Sequence, residues 1–364
     1  MRLIAVERAA GLRLARDLPA MGGGLPLLGR GAAISERYVR ALTQHGIRSV
    51  WVDDELSAGI EPAELLPEPE RADGEARMRR AYEAARAAFA ASRALPAETL
   101  HDLGELVSDL VDRATACTGT VVVLHDVAPA ARWTHRHPVN RAALGLLLAT
   151  ELFRRHGWVD STGARQFERA GERLALLGLG LLLADVGNVE VPAAVLDRAG
   201  APTDGEWALI RRHPEAGGAR LSHRSTSPRV AGVIAQHHER YDGSGYPHGL
   251  RGDEIHQFAA IAAVADVYAA VTAERPYRPA RPSHVGAGIV RDGAGTAFHP
   301  EVVDVFRRVV VPHPPGTEVA LADGRVGVVR AVDAATPHAP VVRFAEAGGA
   351  TERRVDTRAE LAPG

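Results

Sequence analysis

A single cysteine, Cys117, stands among 364 residues. One thiol cannot build an internal disulfide framework, and its isolation fits a reducing cytoplasm. The N-terminal stretch MRLIAVERAAGLRLARDL has no apolar h-region or cleavage site, so it is not expected to be a signal peptide. The longest apolar run, Leu174 to Ala184, falls far short of the ~20 residues needed to span a bilayer. A formal net charge of -2 exerts no global pull toward nucleic acid or an anionic membrane. Neither a DNA or RNA duplex nor a membrane is therefore an expected partner, and an anionic ligand must be held by local charge. The chain also lacks a Gly-x-Ser-x-Gly elbow and a P-loop lysine, and Cys117 has no histidine near it in sequence to make a catalytic thiol. A soluble cytoplasmic protein is therefore expected, long enough for two or three domains.

Four stretches differ in character. Residues 1–66 read as a small mixed unit: Ser35 can cap a helix over Glu36–Gln44, Gly46 ends it, and Ile47–Val52 reads as a strand. A Pro- and Glu-rich linker and an Ala/Arg/Glu-rich connecting helix over 75–93, expected to be exposed, fill residues 67–96. From 97 to 312 the pattern is helical. Pro138 suits a helix N1 position, which would make His137 the cap. Apolar helices are expected over Ala142–Leu152, and over Leu174–Ala184 with Asp185 at its end and Gly187 able to terminate it. Ile210–His213 and Val230–His238 end in histidines, and Ile261–Thr272 carries Asp266 within it. Residues 313–364 read as short strands around an Asp323-Gly324 turn, a small β-barrel-like domain.

The chemistry concentrates between His237 and Arg278. Adjacent helical residues point about 100° apart, so His237 and His238 can line one pocket. Asp266 sits in VADVY, where a carboxylate must be paired, hydrogen-bonded or metal-bound. Asp185, after LGLGLLLA, obeys the same rule, with a structural cap as the alternative; His213 alone reads as a surface or capping residue. The loop Asp242-Gly243-Ser244-Gly245-Tyr246-Pro247 has rigid-turn chemistry, and with no preceding strand it is not a dinucleotide fingerprint. Arg275 and Arg278, flanking Pro276-Tyr277, can clamp a phosphate or stand solvated.

Taken in order, these residues resemble the HD-GYP family, the bacterial branch of the HD metal-dependent phosphohydrolases that hydrolyses cyclic di-GMP. The likeness runs from about Thr134 to Phe306 and is most specific in HHERYDGSGYP. It implies a mainly α fold, with an HD-type helical bundle between the small N-terminal α/β unit and the small C-terminal β domain. It further implies a pair of divalent metals, iron, manganese or zinc, held by His137, Asp185, His213, His237, His238 and Asp266. Asp185 would bridge the pair and serve as the catalytic residue, while Gly245, Tyr246, Arg275 and Arg278 would contact cyclic di-GMP or a related cyclic dinucleotide. The implied products are pGpG or GMP.

Four positions depart from the family pattern. The dyad histidine is Ala184, the lysine three residues after the dyad Asp is Asn188, the usual Asp of YDAL is Ala269, and Trp133 stands where some members carry an extra carboxylate. The first metal site is accordingly expected to be weak or vacant and hydrolysis impaired. The alternative is a degenerate receptor for the nucleotide or a protein-interaction module. Input is expected through the N-terminal unit, a protein partner or a homodimer.

Overall fold

The structure is a computed structural model describing residues 1–18, 26–118, 124, 132–160, 162–196, 200–221, 226–275 and 278–362. Pro276-Tyr277, expected between the two arginines, lies outside the described residues. At the N-terminus, β1 (Arg2–Ala5), β2 (Arg13–Leu14), α1 (Glu36–Gln44) and β3 (Ser49–Asp53) form an antiparallel sheet of order β1-β3-β2 with one helix against it. Ser35 caps α1, its Oγ accepting the Tyr38 N–H at 3.3 Å. Val39 and Leu42 then join Ile4, Val50 and Val52 in a small apolar core.

The helical body follows in chain order as α2 (Glu68–Ala90), α3 (Ala97–Ala116), α4 (Trp133–His156), the hairpin β4 (Trp158–Val159) and β5 (Arg165–Gln166), and α5 (Ala170–Leu183). Next come α6 (Ala193–Leu196), α7 (Asp204–Ile210), α8 (His213–Leu221), α9 (Pro228–Gln236), α10 (Gln257–Val271), α11 (Ser283–Asp292) and α12 (Pro300–Val309). The hub is α4, apolar all round from Ala142 to Ala149 and packed against α2, α3, α5, α10 and α12. No described helix is long and apolar enough to cross a membrane.

Two expectations for this region are corrected. The helix over 75–93 is not an exposed connector: α2 begins at Glu68 and buries Met78, Ala81, Tyr82, Ala85 and Phe89 in the main core. Its charges enter because they are paired. Glu75, 1% exposed, accepts from Arg132 and lies 3.4 Å from Arg136, whose guanidinium also forks onto Glu68 at 2.7 and 3.0 Å. Nor does Pro138 open its helix. It lies inside α4, which starts at Trp133. A proline there forfeits one hydrogen bond, while the same arginine–glutamate pairs anchor the opening turn and the Trp133 and His137 rings stack at 4.7 Å.

At the C-terminus, β6 (Glu318–Ala320), β7 (Val326–Ala331), β8 (Val341–Glu346) and β9 (Gly349–Arg354) pair antiparallel in chain order. The expected barrel is instead an open four-stranded meander, since β6 and β9 do not pair with each other. The Asp323-Gly324 turn is present, with Gly324 at φ +87° and the Asp323 carboxylate accepting the Arg325 N–H.

Candidate metal centre

Six side chains far apart in sequence meet where α4, α5, α8, α9 and α10 converge. Asp185, His213, His237 and His238 each offer a donor atom, and these atoms lie within 4.8 Å of one another. His137, Asp185 and Asp266 form a second such group, so Asp185 belongs to both. All six expected ligand positions are thus brought together.

Local structure explains each placement. Asp185 follows α5, where the chain tightens into a 3-10 turn over Val186–Glu190. Gly187 does not terminate α5 as expected. It lies within that turn because a Cβ there would stand 2.1 Å from the His213 carbonyl oxygen. That close approach seats His213, which starts α8 rather than ending the helix before it. Its Nδ1–H donates to the Ile210 carbonyl at 2.7 Å; the His237 Nδ1–H donates to Ile234 at 2.9 Å. Each bond engages Nδ1 and leaves Nε2 facing the pocket.

The two Nε2 atoms lie 3.3 Å apart, and Asp185 Oδ1 is 3.4 Å from that of His213 and 4.0 Å from that of His237. Burial, reinforced by the neighbouring His238, holds His237 well below the usual histidine pKa, and burial takes His238 down to about 4. Burial alone would raise Asp185, but the Arg141 guanidinium, then His213 and His237, hold its carboxyl well below the usual carboxylate range. Converging imidazole nitrogens beside a carboxylate form a donor set suited to a divalent cation such as iron, manganese or zinc.

The other group is built differently. Asp266 Oδ1 accepts from His137 Nε2 at 2.8 Å and from Arg141 Nη1 at 2.8 Å. The same Nη1 donates to Asp185 Oδ2 at 2.6 Å, and Arg141 Nε donates to the Leu181 carbonyl at 2.9 Å. Arg141 is fully buried. Burial would push Asp266 up, yet the His137 hydrogen bond and the Arg141 charge hold it well below its ordinary range. This group therefore already contains a cation between its carboxylates and does not fit a metal ion as the histidine pocket does.

The remaining expected residues surround the centre. Tyr246 stacks on His238 with ring centroids 4.8 Å apart, and the Arg211 guanidinium lies 5.5 Å from the Tyr246 ring. Gly245 packs against backbone, its would-be Cβ 2.3 Å from Arg240 N, so its first duty is to let the loop lie close. Arg275 covers the outer face of Trp133 at 4.3 Å and so stands behind His137, whereas Arg278 donates to the Ala270 carbonyl near the end of α10. Asn188 donates to Asp185 Oδ1 at 3.3 Å. His135 approaches Tyr82, ring centroids 5.7 Å apart, and is in neither donor group.

Sequence reasoning missed three residues. Arg141 stands four positions after His137, just before the apolar run Ala142–Ala149, but nothing near it in sequence says what it pairs with. Glu239, 2% exposed, ties down the tyrosine loop by accepting from the His248 and Leu250 amides at 2.7 and 3.1 Å. Arg211, exposed at the rim, carried no sequence signal. The chain has no lysine at all, so every fixed side-chain cation around the centre is an arginine.

Comparison with known proteins converges on this region. Residues 149–302 match the family model described as an HD domain. A cyclic di-GMP phosphodiesterase of Pseudomonas aeruginosa is 32% identical over 316 residues, covering 81% of this chain and 72% of that protein. The response regulator RpfG of Xanthomonas campestris, also named a cyclic di-GMP phosphodiesterase, is 37% identical over 40% of this chain and 39% of its own. A 3'3'-cGAMP-specific phosphodiesterase of Vibrio cholerae is 35% identical over 35% of this chain and 28% of its own, so the likeness spans less than half of these two relatives. Among solved structures, an HDG"Y"P protein from Bdellovibrio bacteriovorus aligns at a TM-score of 0.45 and 15% identity, covering 83% of this chain and 97% of that one. With that extended likeness to a named phosphodiesterase, the chain belongs to the HD-GYP family.

Proposed function

We propose that this protein is a slow metal-dependent phosphodiesterase that opens cyclic di-GMP, or a closely related cyclic dinucleotide, to the linear dinucleotide. The observation that carries the reading is the convergence of the His213 and His237 Nε2 atoms on Asp185 Oδ1, 3.3 to 4.0 Å apart, beneath the loop that bears Tyr246. Asp185, His213, His237 and His238 would hold a divalent ion. When bound, such an ion supplies Lewis acidity to a phosphoryl oxygen and a hydroxide-like nucleophile at neutral pH.

The chain's own residues do the rest. Arg141 draws on Asp185 Oδ2, which leaves Oδ1 turned toward the histidines. Asp185 stays ionised, the state a carboxylate ligand needs. Tyr246 and His238 offer a stacked pair of rings at the entrance, a surface that suits a nucleobase. Arg211, over the Tyr246 ring, and Arg275, over the Trp133 ring, would bring positive charge to the phosphates. Asn188, neutral and bonded to Asp185, supplies no charge to the scissile phosphate, which lowers the rate by ~10²-fold if the missing lysine acted as an ordinary charge-stabilising donor.

A receptor that holds the nucleotide uncut is the second reading, favoured by the same Asn188 and by Arg141 filling the His137–Asp266 side. In either reading the four stretches 1–66, 67–96, 97–312 and 313–364 would keep the nucleotide site in the third, with input from a partner or second copy through the first. The test incubates protein loaded anaerobically with ferrous iron or manganese with cyclic di-GMP and separates the products by chromatography. Linear pGpG that disappears in Asp185→Ala establishes the enzyme; intact nucleotide under both metals refutes it.

A further inference from the structure

The two halves of the centre are not equivalent, and the difference lies in one side chain. Arg141 is on α4 one turn after His137, so both face the same way into the bundle. Its Nη1 lies 2.6 Å from Asp185 Oδ2 and 2.8 Å from Asp266 Oδ1, the two carboxylates that a cation on this side would have to join. Its Nε closes on the Leu181 carbonyl in the last turn of α5, where carbonyls without helical partners favour a cation. The guanidinium is fully buried and cannot deprotonate in a protein. Ala184 removes an imidazole from the same end of α5.

The geometry points to a built-in substitution: the Arg141 guanidinium takes the place of the first metal, and the protein carries a one-metal centre in which a fixed side chain does the charge work of the missing ion. This rests on the proposed metal pocket of Asp185, His213, His237 and His238, and it concerns the other side of Asp185. The consequences are chemical. A guanidinium can hold the carboxylates and offer N–H groups to an oxyanion, but it has no open coordination position and cannot activate water. It is also permanently charged, so a divalent ion at the same carboxylates would meet a like charge at hydrogen-bond range in a buried site. The shared Asp185 becomes a bridge between an arginine and one metal.

Counting metal tests this without reference to turnover. Apo-protein is reconstituted anaerobically with manganese, freed of excess by gel filtration and analysed by inductively coupled plasma mass spectrometry. The wild type should retain one equivalent per chain, His237→Ala none, and Arg141→Met with Ala184→His one more than the wild type. The increment is the decisive quantity. If the double variant gains an equivalent that Ala184→His alone does not, Arg141 is what closes the first position, whatever the wild-type count. If it folds and gains none, the proposal is overturned. A wild-type count of zero would refute the histidine pocket alone, so the two failures are distinguishable. Should the double variant not fold, anomalous diffraction from wild-type crystals grown with manganese decides. One peak beside His213 and His237 with the guanidinium between the carboxylates is the expected result, and two peaks with Arg141 displaced overturn the proposal.

Discussion

Replacing Arg141 by methionine keeps the volume of the side chain and removes its charge, so in metal-free protein the loss is electrostatic. Asp185 and Asp266 lose their shared donor, and the Leu181 carbonyl loses its partner. Asp266 keeps the His137 hydrogen bond, and the Asp185 side chain is 19% exposed, so neither is left wholly bare. Breaking a buried ion pair on one side costs about 3–5 kcal/mol, and a value toward the lower end is expected here. The pH dependence fixes the cause. In the wild type both carboxyls titrate below their ordinary range, so they contribute stability above about pH 4 that is lost as pH falls toward their folded values. In Arg141→Met, burial is no longer opposed by the guanidinium. Both groups shift upward relative to the wild type, Asp266 the less because it keeps the His137 hydrogen bond. The gap between the proteins should therefore be full at pH 7 and narrow as pH falls through the variant's carboxyl values toward the lower ones of the wild type. Urea unfolding in chelator at a series of pH values measures it. A variant as stable as the wild type at pH 7, or a gap independent of pH, would refute the reasoning.

Other outcomes follow from the same geometry. Glu75→Ala should destabilise the helical body by about 3–5 kcal/mol, because Arg132 loses its main carboxylate and the buried Arg136 one of two; thermal melts with Glu75→Gln alongside test it. Gly187→Ala places a Cβ 2.1 Å from the His213 carbonyl and should weaken manganese binding ~10–100-fold, as losses of ligand-orienting contacts do, read by calorimetry. Gly245→Ala, at 2.3 Å from Arg240 N, should lower affinity for cyclic di-GMP while leaving metal content unchanged, since it disturbs the loop and not the histidines. His313, buried beside His284, has its pKa lowered by burial to about 4, so its neutral form stabilises the fold above about pH 6.5 and that contribution is lost as pH falls toward 4; His313→Gln should flatten this part of the stability profile.

How much of this was legible in the sequence depended on whether a signal was local. The HHE run, the Asp266 helix, the Ser35 cap and the Asp323-Gly324 turn announce themselves within a few residues, and all lie where expected. The buried face of α2 did not. Its glutamates and arginines look like a solvated surface until Arg132 and Arg136, about sixty positions onward, are known to meet them. Arg141 was hidden for the same reason, since its partners lie 44 and 125 residues away. Pro138 misled because a proline rule describes the cost of one lost hydrogen bond and not the stacking and ion pairs that offset it. Hydrophobic periodicity finds the helices and motif spacing finds ligand candidates. Which cation each carboxylate holds is a tertiary fact.

The most direct test is turnover of cyclic di-GMP followed while apo-protein is titrated anaerobically with manganese. The account predicts that pGpG production rises with metal and breaks to a plateau at one equivalent per chain. Absence of product at every loading, or a rate that climbs until two equivalents are bound, would contradict it.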